Sequence, residues 1–402
     1  MAERRIDLQA LVERTEQGLA TAKSDDEAVK VLEQFLDTFG DGHAYLVRPQ
    51  REVAAAPTAT ASDRKTCRDM GYQPMRKDRE PIDFAITGQY EALANEDAAI
   101  LPAGVLKAGG KRLGVIRIGL FAEQAFPALC EREHPVAAPC DSACQQEIFT
   151  RVAKALTRTL ERQARALAAQ KVDAIVVDIT GNRGGTDWAE AAARVLTGPG
   201  VAAPRISFIK HPHWVKGIDN RLKDIDLDLK RTNIGTAQRE WLLAARAQLI
   251  ESRALAAEPC ERDAIWKNQR VCALLVPPRL HSTGLEATPR ALDFGGYEAE
   301  WVHNIAAQYE PSVAWQGKLA ILVDNNTVSA AELFAATLKD NGRATLIGTP
   351  TRGAGCGYTD GGIPITLKHS GVQIKVPDCA RLRASGENEV AGIVPDILVP
   401  WR

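Results

Sequence analysis

The stretch Lys318–Tyr358, KLAILVDNNTVSAAELFAATLKDNGRATLIGTPTRGAGCGY, decides the fold. Leu319–Val323 is an unbroken apolar run of strand length and Asp324–Thr327 is turn-forming. Ser329–Lys339 has helical composition, with Leu333, Phe334 and Leu338 spaced for one buried face. Asn341-Gly342 stops that helix and Ala344–Ile347 begins a second buried strand, so the stretch predicts a βαβ unit with parallel strands. Ser329 falls where strand gives way to helix. There a hydroxyl meets unpaired backbone N–H groups and the positive end of the helix dipole, which favour developing negative charge. Such a place suits an acyl-transfer nucleophile, and it equally suits an ordinary N-cap serine. From this stretch alone the cap is the better reading.

Upstream lies a second unit of the same kind, Lys171–Gly198, KVDAIVVDITGNRGGTDWAEAAARVLTG. Ala174–Val177 reads as a buried strand, Gly181–Gly185 as a glycine-rich turn, and Asp187–Leu196 as a helix ended by Gly198. No Lys-Ser/Thr of a phosphate loop follows the glycines and no G-x-G-x-x-G opens the helix, which argues against nucleotide binding. Gly353, Gly355 and Gly357 are likewise no dinucleotide fingerprint, since no helix is evident after them.

Composition narrows the class without naming it. A chain of 402 residues with 45% hydrophobic content can bury a large core in two or three structural units. The net charge of −1, with both signs interspersed, argues against nucleic acid or an anionic membrane as partner. No apolar run reaches bilayer length and the opening MAERRIDLQA lacks a signal-peptide core, so no membrane span is expected. The eight cysteines include no C-x-x-C pair, and Cys140 and Cys144 have no matching second pair, so no zinc site is expected. Short intervals such as Cys260 to Cys272, and Cys130 to Cys140 or Cys144, predict local disulfide loops. An exported, periplasm-like location follows, with the targeting segment removed; a cytoplasmic one is the alternative.

The order of residues resembles the tail-specific (C-terminal processing) and tricorn-core serine peptidases. Thr327, Ser329, Ala330 and Glu332 stand as in that family's T-x-S-A-x-E, and Asp340 to Ala344 as in its D-N-G-R-A. Gly348, Thr351 and Gly353 follow as in I-G-x-x-T-x-G. Asp178, Asn182, Gly184 and Gly185 match D-L-R-x-N-x-G-G, with Thr180 in place of Arg. Gly40, Asp41, His43 and Tyr45 match the tricorn-like G-D-S-H-x-Y/T, with Gly42 where that pattern often has Ser. The tail Gly386–Trp401 resembles the closing E-x-x-G-V-x-P-D-I-x-V, with Ile393 for Val. The resemblance covers residues 40–47, 109–121, 171–198 and 314–398. It implies an α/β protein with a crotonase/ClpP-like ββα superhelical core.

One departure bears on mechanism. Where Ser/Lys members of the family carry the basic lysine of T-F-G-K-G, this chain has Ala354, which accepts no proton; Arg352 stays protonated. His43, at a loop-to-strand junction, would by itself read as a solvated or backbone-bonded histidine; the resemblance to the tricorn-like branch, where this His is the general base, and an imidazole's intrinsic pKa near neutrality make it the expected replacement base. The expected site is Ser329 as nucleophile, His43 as general base and Glu389 (or Glu387) as orienting carboxylate. The N–H groups of Gly184 or Gly185 and of Ala330 are the expected oxyanion hole, with no metal or cofactor. The expected partner is a peptide or protein substrate. Two rivals stand: a scaffold that kept the fold and lost catalysis, favoured by Ala354 and Gly42, and a small-acyl hydrolase or lyase on the crotonase core.

The remaining chain fills in around this. Residues 6–19 read as a helix, and Ser24 with Glu27 opens another with Ala28, Leu32, Phe35 and Phe39 on one face. The expected units are a helical segment 1–47, a linker or small domain 48–108 without an assignable PDZ loop, a core 109–203, an insertion 204–313, and a second core part 314–402. Leu113–Leu120 is an expected strand, 125–144 a loop insertion, and Val152 to Leu167 the apolar face of a long helix. The insertion carries expected helices at Ala237–Ala257 and Tyr297–Gln308 and is a candidate lid. Its His211-Pro-His213 reads as solvated histidines. Ile363–Asp378 reads as a hairpin turning at Ser370-Gly371.

Overall fold

Seven strands run side by side in chain order: β1 (Tyr90–Ala92), β2 (Ala103–Ala108), β3 (Lys111–Arg117), β4 (Ala174–Asp178), β5 (Lys318–Val323), β6 (Thr345–Gly348) and β7 (Ile397–Leu398). β1 to β3 are antiparallel neighbours and β3 to β7 are parallel, which makes a mixed sheet in an α/β fold. The computed structural model describes residues 6–48, 64–74, 82–87, 89–198, 200–269, 272–276, 280–281, 312–357 and 365–399. The helix expected at Tyr297–Gln308 lies outside them.

The described helices are α1 (Leu8–Thr21), α2 (Asp25–Asp37), α3 (Pro127–Glu133), α4 (Ser142–Ala169), α5 (Trp188–Thr197), α6 (Pro212–Leu229), α7 (Thr236–Ala256) and α8 (Ala330–Asp340). The apolar face expected on α4, Val152, Leu156, Leu160, Ala164 and Leu167, is wholly buried in the main core. Ile175 and Val177 of β4 and Leu319, Ile321 and Val323 of β5 join it, each such side chain contributing about 1.5–3 kcal/mol. Phe121 touches Trp188 of α5 and Phe334 of α8, with ring centroids 5.7 and 5.1 Å away, and so ties the starts of those helices together. Because β4 and β5 are adjacent and parallel, the loops leaving their carboxyl ends emerge side by side.

Two segments differ from expectation for the same reason. Residues 125–144 are no plain loop but hold α3, and the insertion holds α6; each helix has proline in its first turn, where the missing N–H costs nothing. His211 and His213 are accordingly not solvated side chains. The His211 ring caps α6 by accepting the His213 N–H at 3.2 Å, and His213 Nε2 lies 3.2 Å from Asp378. A second hydrophobic cluster, including Phe208, Trp214, Ile218, Ile225, Leu242 and Leu249, underlies α6 and α7.

All eight cysteines are paired. Cys260–Cys272 is the expected short loop, whereas Cys130 reaches back to Cys67 and leaves Cys140 and Cys144 to pair with each other. The fourth bond is Cys356–Cys379. At the amino-terminal end, the Ser24 hydroxyl accepts the Glu27 N–H at 3.2 Å and opens α2. Tyr45–Val47 then pairs antiparallel with Gln373–Lys375, which pairs with Ile365–Thr366. This small sheet brings residues near 43 to the carboxyl ends of the central strands.

Candidate active site

Ser329 stands between β5 and α8 in a backbone conformation that side chains rarely take, φ 58° and ψ −120°. Such a turn costs on the order of 1–3 kcal/mol and must be held by its surroundings. Glu332, one turn into α8 and fully buried, does so. Its carboxylate accepts the Ser329 N–H at 2.9 Å, the Thr351 hydroxyl at 2.5 Å, and the N–H groups of Gly353 and Ala354 at 2.7 and 2.9 Å. The Ser329 hydroxyl does not cap the helix. It lies 3.1 Å from His43 Nε2.

His43 is held by its other nitrogen. Nδ1 lies 2.7 Å from the carbonyl oxygen of Ala354, an acceptor only, so the proton sits on Nδ1 and Nε2 is left with a lone pair facing the serine. Asp41 assists from the same loop, its carboxylate accepting the His43 backbone N–H at 2.9 Å and standing 3.5 Å from Nδ1. Gly357 covers the ring so closely that an added Cβ would lie 3.3 Å from both Cδ2 and Nε2. At Gly42 an added Cβ would meet only Ala354 Cβ at 3.7 Å and Val328 at 3.9 Å, which is room for a small side chain.

The glycine turn after β4 is stitched to the nucleophile turn. Asp324 accepts the Gly181 N–H at 2.8 Å, Val328 N–H reaches the Asn182 carbonyl at 2.9 Å, and the Thr327 hydroxyl reaches the Ile179 carbonyl at 3.2 Å. Gly184 and Gly185 have φ of 92° and 136°, which an L side chain resists. A Cβ on Gly184 would fall 2.7 Å from the Ser329 Cβ and the Ala330 nitrogen, so the two turns touch there. The Gly184 N–H is occupied, donating to Asn182 Oδ1 at 2.8 Å. The N–H groups of Gly185, which is exposed, and of Ala330 have no hydrogen-bond partner among the described residues.

Glu389 is brought near this cluster without joining it. Its carboxylate is fully buried, bonds to Arg381 at 3.3 Å, and makes no hydrogen bond to His43 or Ser329. Burial pushes its carboxyl up to about 7, with Arg381 opposing and the neighbouring Glu332 adding to the rise. The next residue, Val390, packs its backbone under Gly353, and the Thr351 hydroxyl accepts the Ile393 N–H at 2.7 Å. The closing element thus supports the loop that Glu332 holds from the other side. Glu387 is exposed, 3.9 Å from Arg383.

The model of peptidase family S41 matches residues 113–399, well over half of the chain. The chain belongs to peptidase family S41. A Chlamydia pneumoniae protein, CPj1016/CpB1054, is 51% identical over 45 residues, 11% of this chain and 7% of that one. Mature CPAF is 17% identical, covering 74% of this chain and 49% of its own with a TM-score of 0.42. The photosystem II D1 C-terminal processing protease is 13% identical, over 96% and 86%, with a TM-score of 0.34. This chain spans about half the length of the CPAF chain it matches. The likenesses in structure are weak and add nothing to the family assignment.

Within this S41 chain, sequence reasoning put Ser329, His43, Gly184, Gly185 and Ala330 into the site, and the structure brings all five together. It missed Glu332, Asp41, Asn182 and the Ala354 carbonyl as parts of the same arrangement. Glu332 had a signal: serine followed three residues later by glutamate is the capping-box spacing. The Ala354 carbonyl had none, because every residue carries one.

Proposed function

We propose that this S41 member is a serine peptidase that hydrolyses peptide bonds of protein or peptide substrates, with Ser329 as nucleophile and His43 as general base. The observation that carries the reading is His43 Nε2 at 3.1 Å from Ser329 Oγ while Nδ1 is held at 2.7 Å by the Ala354 carbonyl. Oγ attacks the scissile carbonyl carbon as its proton passes to Nε2, and the carbonyl oxygen becomes an oxyanion facing the Gly185 and Ala330 N–H groups. The imidazolium then gives that proton to the leaving amine nitrogen as the C–N bond breaks. Water attacks the acyl-enzyme, His43 takes its proton, and the proton returns to Ser329. Ala354 fills the lysine's place by orienting the base that replaces it. Glu389 acts from behind, holding the closing element under the 351–355 loop.

Several finer points belong to the same reading. The run of parallel strands joined by helices supports a crotonase/ClpP-like ββα core. Four disulfides support an oxidising, extracytoplasmic setting, and no described helix is long and apolar enough to cross a membrane.

Fluorophosphonate labelling at neutral pH tests the proposal. Wild type is expected to label at Ser329, Ser329→Ala not at all, and His43→Gln at least a hundredfold more slowly. Wild type that takes up no Ser329-dependent label would instead be a peptidase fold without catalysis.

A further inference from the structure

Cys356 stands between two of the residues that touch the His43 ring. Ala354, two positions before it, accepts from Nδ1 at 2.7 Å, and Gly357, directly after it, lies against the ring face. Cys356 is buried and bonded to Cys379, the first residue of the strand Cys379–Leu382, which pairs antiparallel with Arg205–Phe208. The loop between is Gly353-Ala354-Gly355-Cys356-Gly357, with glycine at every other position, a backbone that holds its own shape poorly. It is fixed from outside at its start, where the backbone of Val390 also packs under Gly353 and Gly355, and at its end. Glu332 takes the N–H groups of Gly353 and Ala354 at its start, and the disulfide ties its end to a strand of another sheet.

We infer that the Cys356–Cys379 disulfide is a positioning element of the catalytic site, holding the loop that keeps His43 in the orientation and tautomer able to take the Ser329 proton. The inference rests on the Ser329–His43 reading. Cutting the bond leaves the loop held at its start by Glu332 and the Val390 backbone and releases its end, so Gly357 and with it the Ala354 carbonyl drift from the ring. The Nδ1 proton loses its acceptor and the imidazole its fixed distance to Oγ. Misplacement of a reacting group by about 1 Å costs roughly a hundredfold in rate. The other disulfides carry no such role: Cys260–Cys272 closes a loop in the insertion, and Cys67–Cys130 and Cys140–Cys144 brace the segment before and at the start of α4.

The test compares two double variants, Cys356→Ala with Cys379→Ala, and Cys260→Ala with Cys272→Ala, each lacking one cross-link. Turnover of a fluorogenic casein gives kcat and KM, and 15N-histidine NMR, with the His43 signal assigned by His43→Gln, gives the tautomer. The first variant is expected to lose roughly 10–100-fold in kcat with KM within about twofold, and its His43 to leave the pure Nδ1–H form. The second is expected to keep kcat within about threefold and an unchanged His43 signal. A folded first variant with wild-type kcat and an unchanged His43 signal overturns the inference.

Should that variant not fold, wild type is titrated with dithiothreitol. Two electrons and two protons pass to the protein disulfide, giving two thiols and the cyclic oxidised reagent, and mass spectrometry scores each bond. Loss of activity that tracks another disulfide overturns the inference; loss that tracks Cys356–Cys379 in still-folded protein, with recovery on reoxidation, supports it. Wild type with no Ser329 labelling and no casein turnover would sink the peptidase reading instead, and the His43 tautomer would still decide the role of the bond.

Discussion

Two turns lie against each other at the carboxyl ends of β4 and β5, and they solve one backbone problem with different residues. After β4 the chain turns through positive φ at Gly184 and Gly185, where no side chain resists, and what it presents is backbone N–H. After β5 it turns through positive φ at Ser329, where a side chain does resist, and what it presents is a hydroxyl. The first turn is unstrained and is held by hydrogen bonds spread along it, from Gly181 N–H to Asp324, Gly184 N–H to Asn182 and Phe121 N–H to the Gly184 carbonyl. The second is strained and held by Glu332, with four accepted hydrogen bonds. A turn that keeps a side chain at positive φ cannot relax by becoming glycine, so its support comes from a buried hydrogen-bonded carboxyl group instead.

The contrast breaks most visibly at the contact between the turns. Gly184→Ala places a Cβ 2.7 Å from Ser329 Cβ, Ala330 N and Val328 O at φ 92°, and one turn must displace the other. Fluorophosphonate labelling is expected to slow by roughly a thousandfold, about 4 kcal/mol. Labelling at the wild-type rate would mean that the turns are not in contact.

Glu332→Gln tests the support. The amide offers one acceptor oxygen and two donors to a site built of four donors, leaving buried N–H groups unpaired at a cost of about 2–3 kcal/mol in stability. Labelling is expected to slow about a hundredfold, with a lower denaturant midpoint in the same sample. Loss of stability with labelling unchanged would show Glu332 to be structural support remote from the hydroxyl.

Glu389→Gln sharpens the electrostatic side. The Glu389 carboxyl rises from 4.5 to about 7 on folding, so the folded protein binds the extra proton. That contribution to stability is full below 4.5 and fades as pH rises through about 7. It amounts to on the order of 2 kcal/mol between about pH 5 and 8. Denaturation midpoints at the two pH values should converge in the variant relative to wild type. Some slope will persist, because burial also pushes Glu123 up to about 7. An unaltered pH dependence would show that Glu389 ionises as freely in the folded chain as in the unfolded one.

The smallest effect compares Ser329→Gly with Ser329→Ala. Neither variant labels, and the glycine form is expected to be more stable by about 1 kcal/mol, because it alone is at ease at φ 58°. Equal melting temperatures would mean that the turn relaxes when its hydroxyl is removed.

The core strands were legible in the sequence because β4 and β5 are continuous apolar runs bounded by turns. Ser329 was legible as a position and ambiguous as a role, since a cap and a nucleophile occupy the same place and differ only in where the hydroxyl points. His43 was legible through resemblance alone, because its approach to Ser329 depends on a pairing between Tyr45–Val47 and Gln373–Lys375 that no local pattern announces. The helices α3 and α6 were passed over because Pro127 and Pro212 looked like breaks, although proline in a first turn starts a helix as well as it ends one. Cys67–Cys130 escaped because it joins residues 63 apart, and Cys356–Cys379 because nothing in the loop marks its partner.

The pairing that carries His43 has a consequence for how the molecule comes into being. Tyr45–Val47 is made long before its partner Gln373–Lys375, and His43 is made 311 residues before the carbonyl that anchors its imidazole. A chain still short of Ala354 therefore holds the Ser329 hydroxyl and the His43 imidazole with no anchor to align them. On the reading proposed above, hydrolysis waits until the segment through Lys375 has been made and paired.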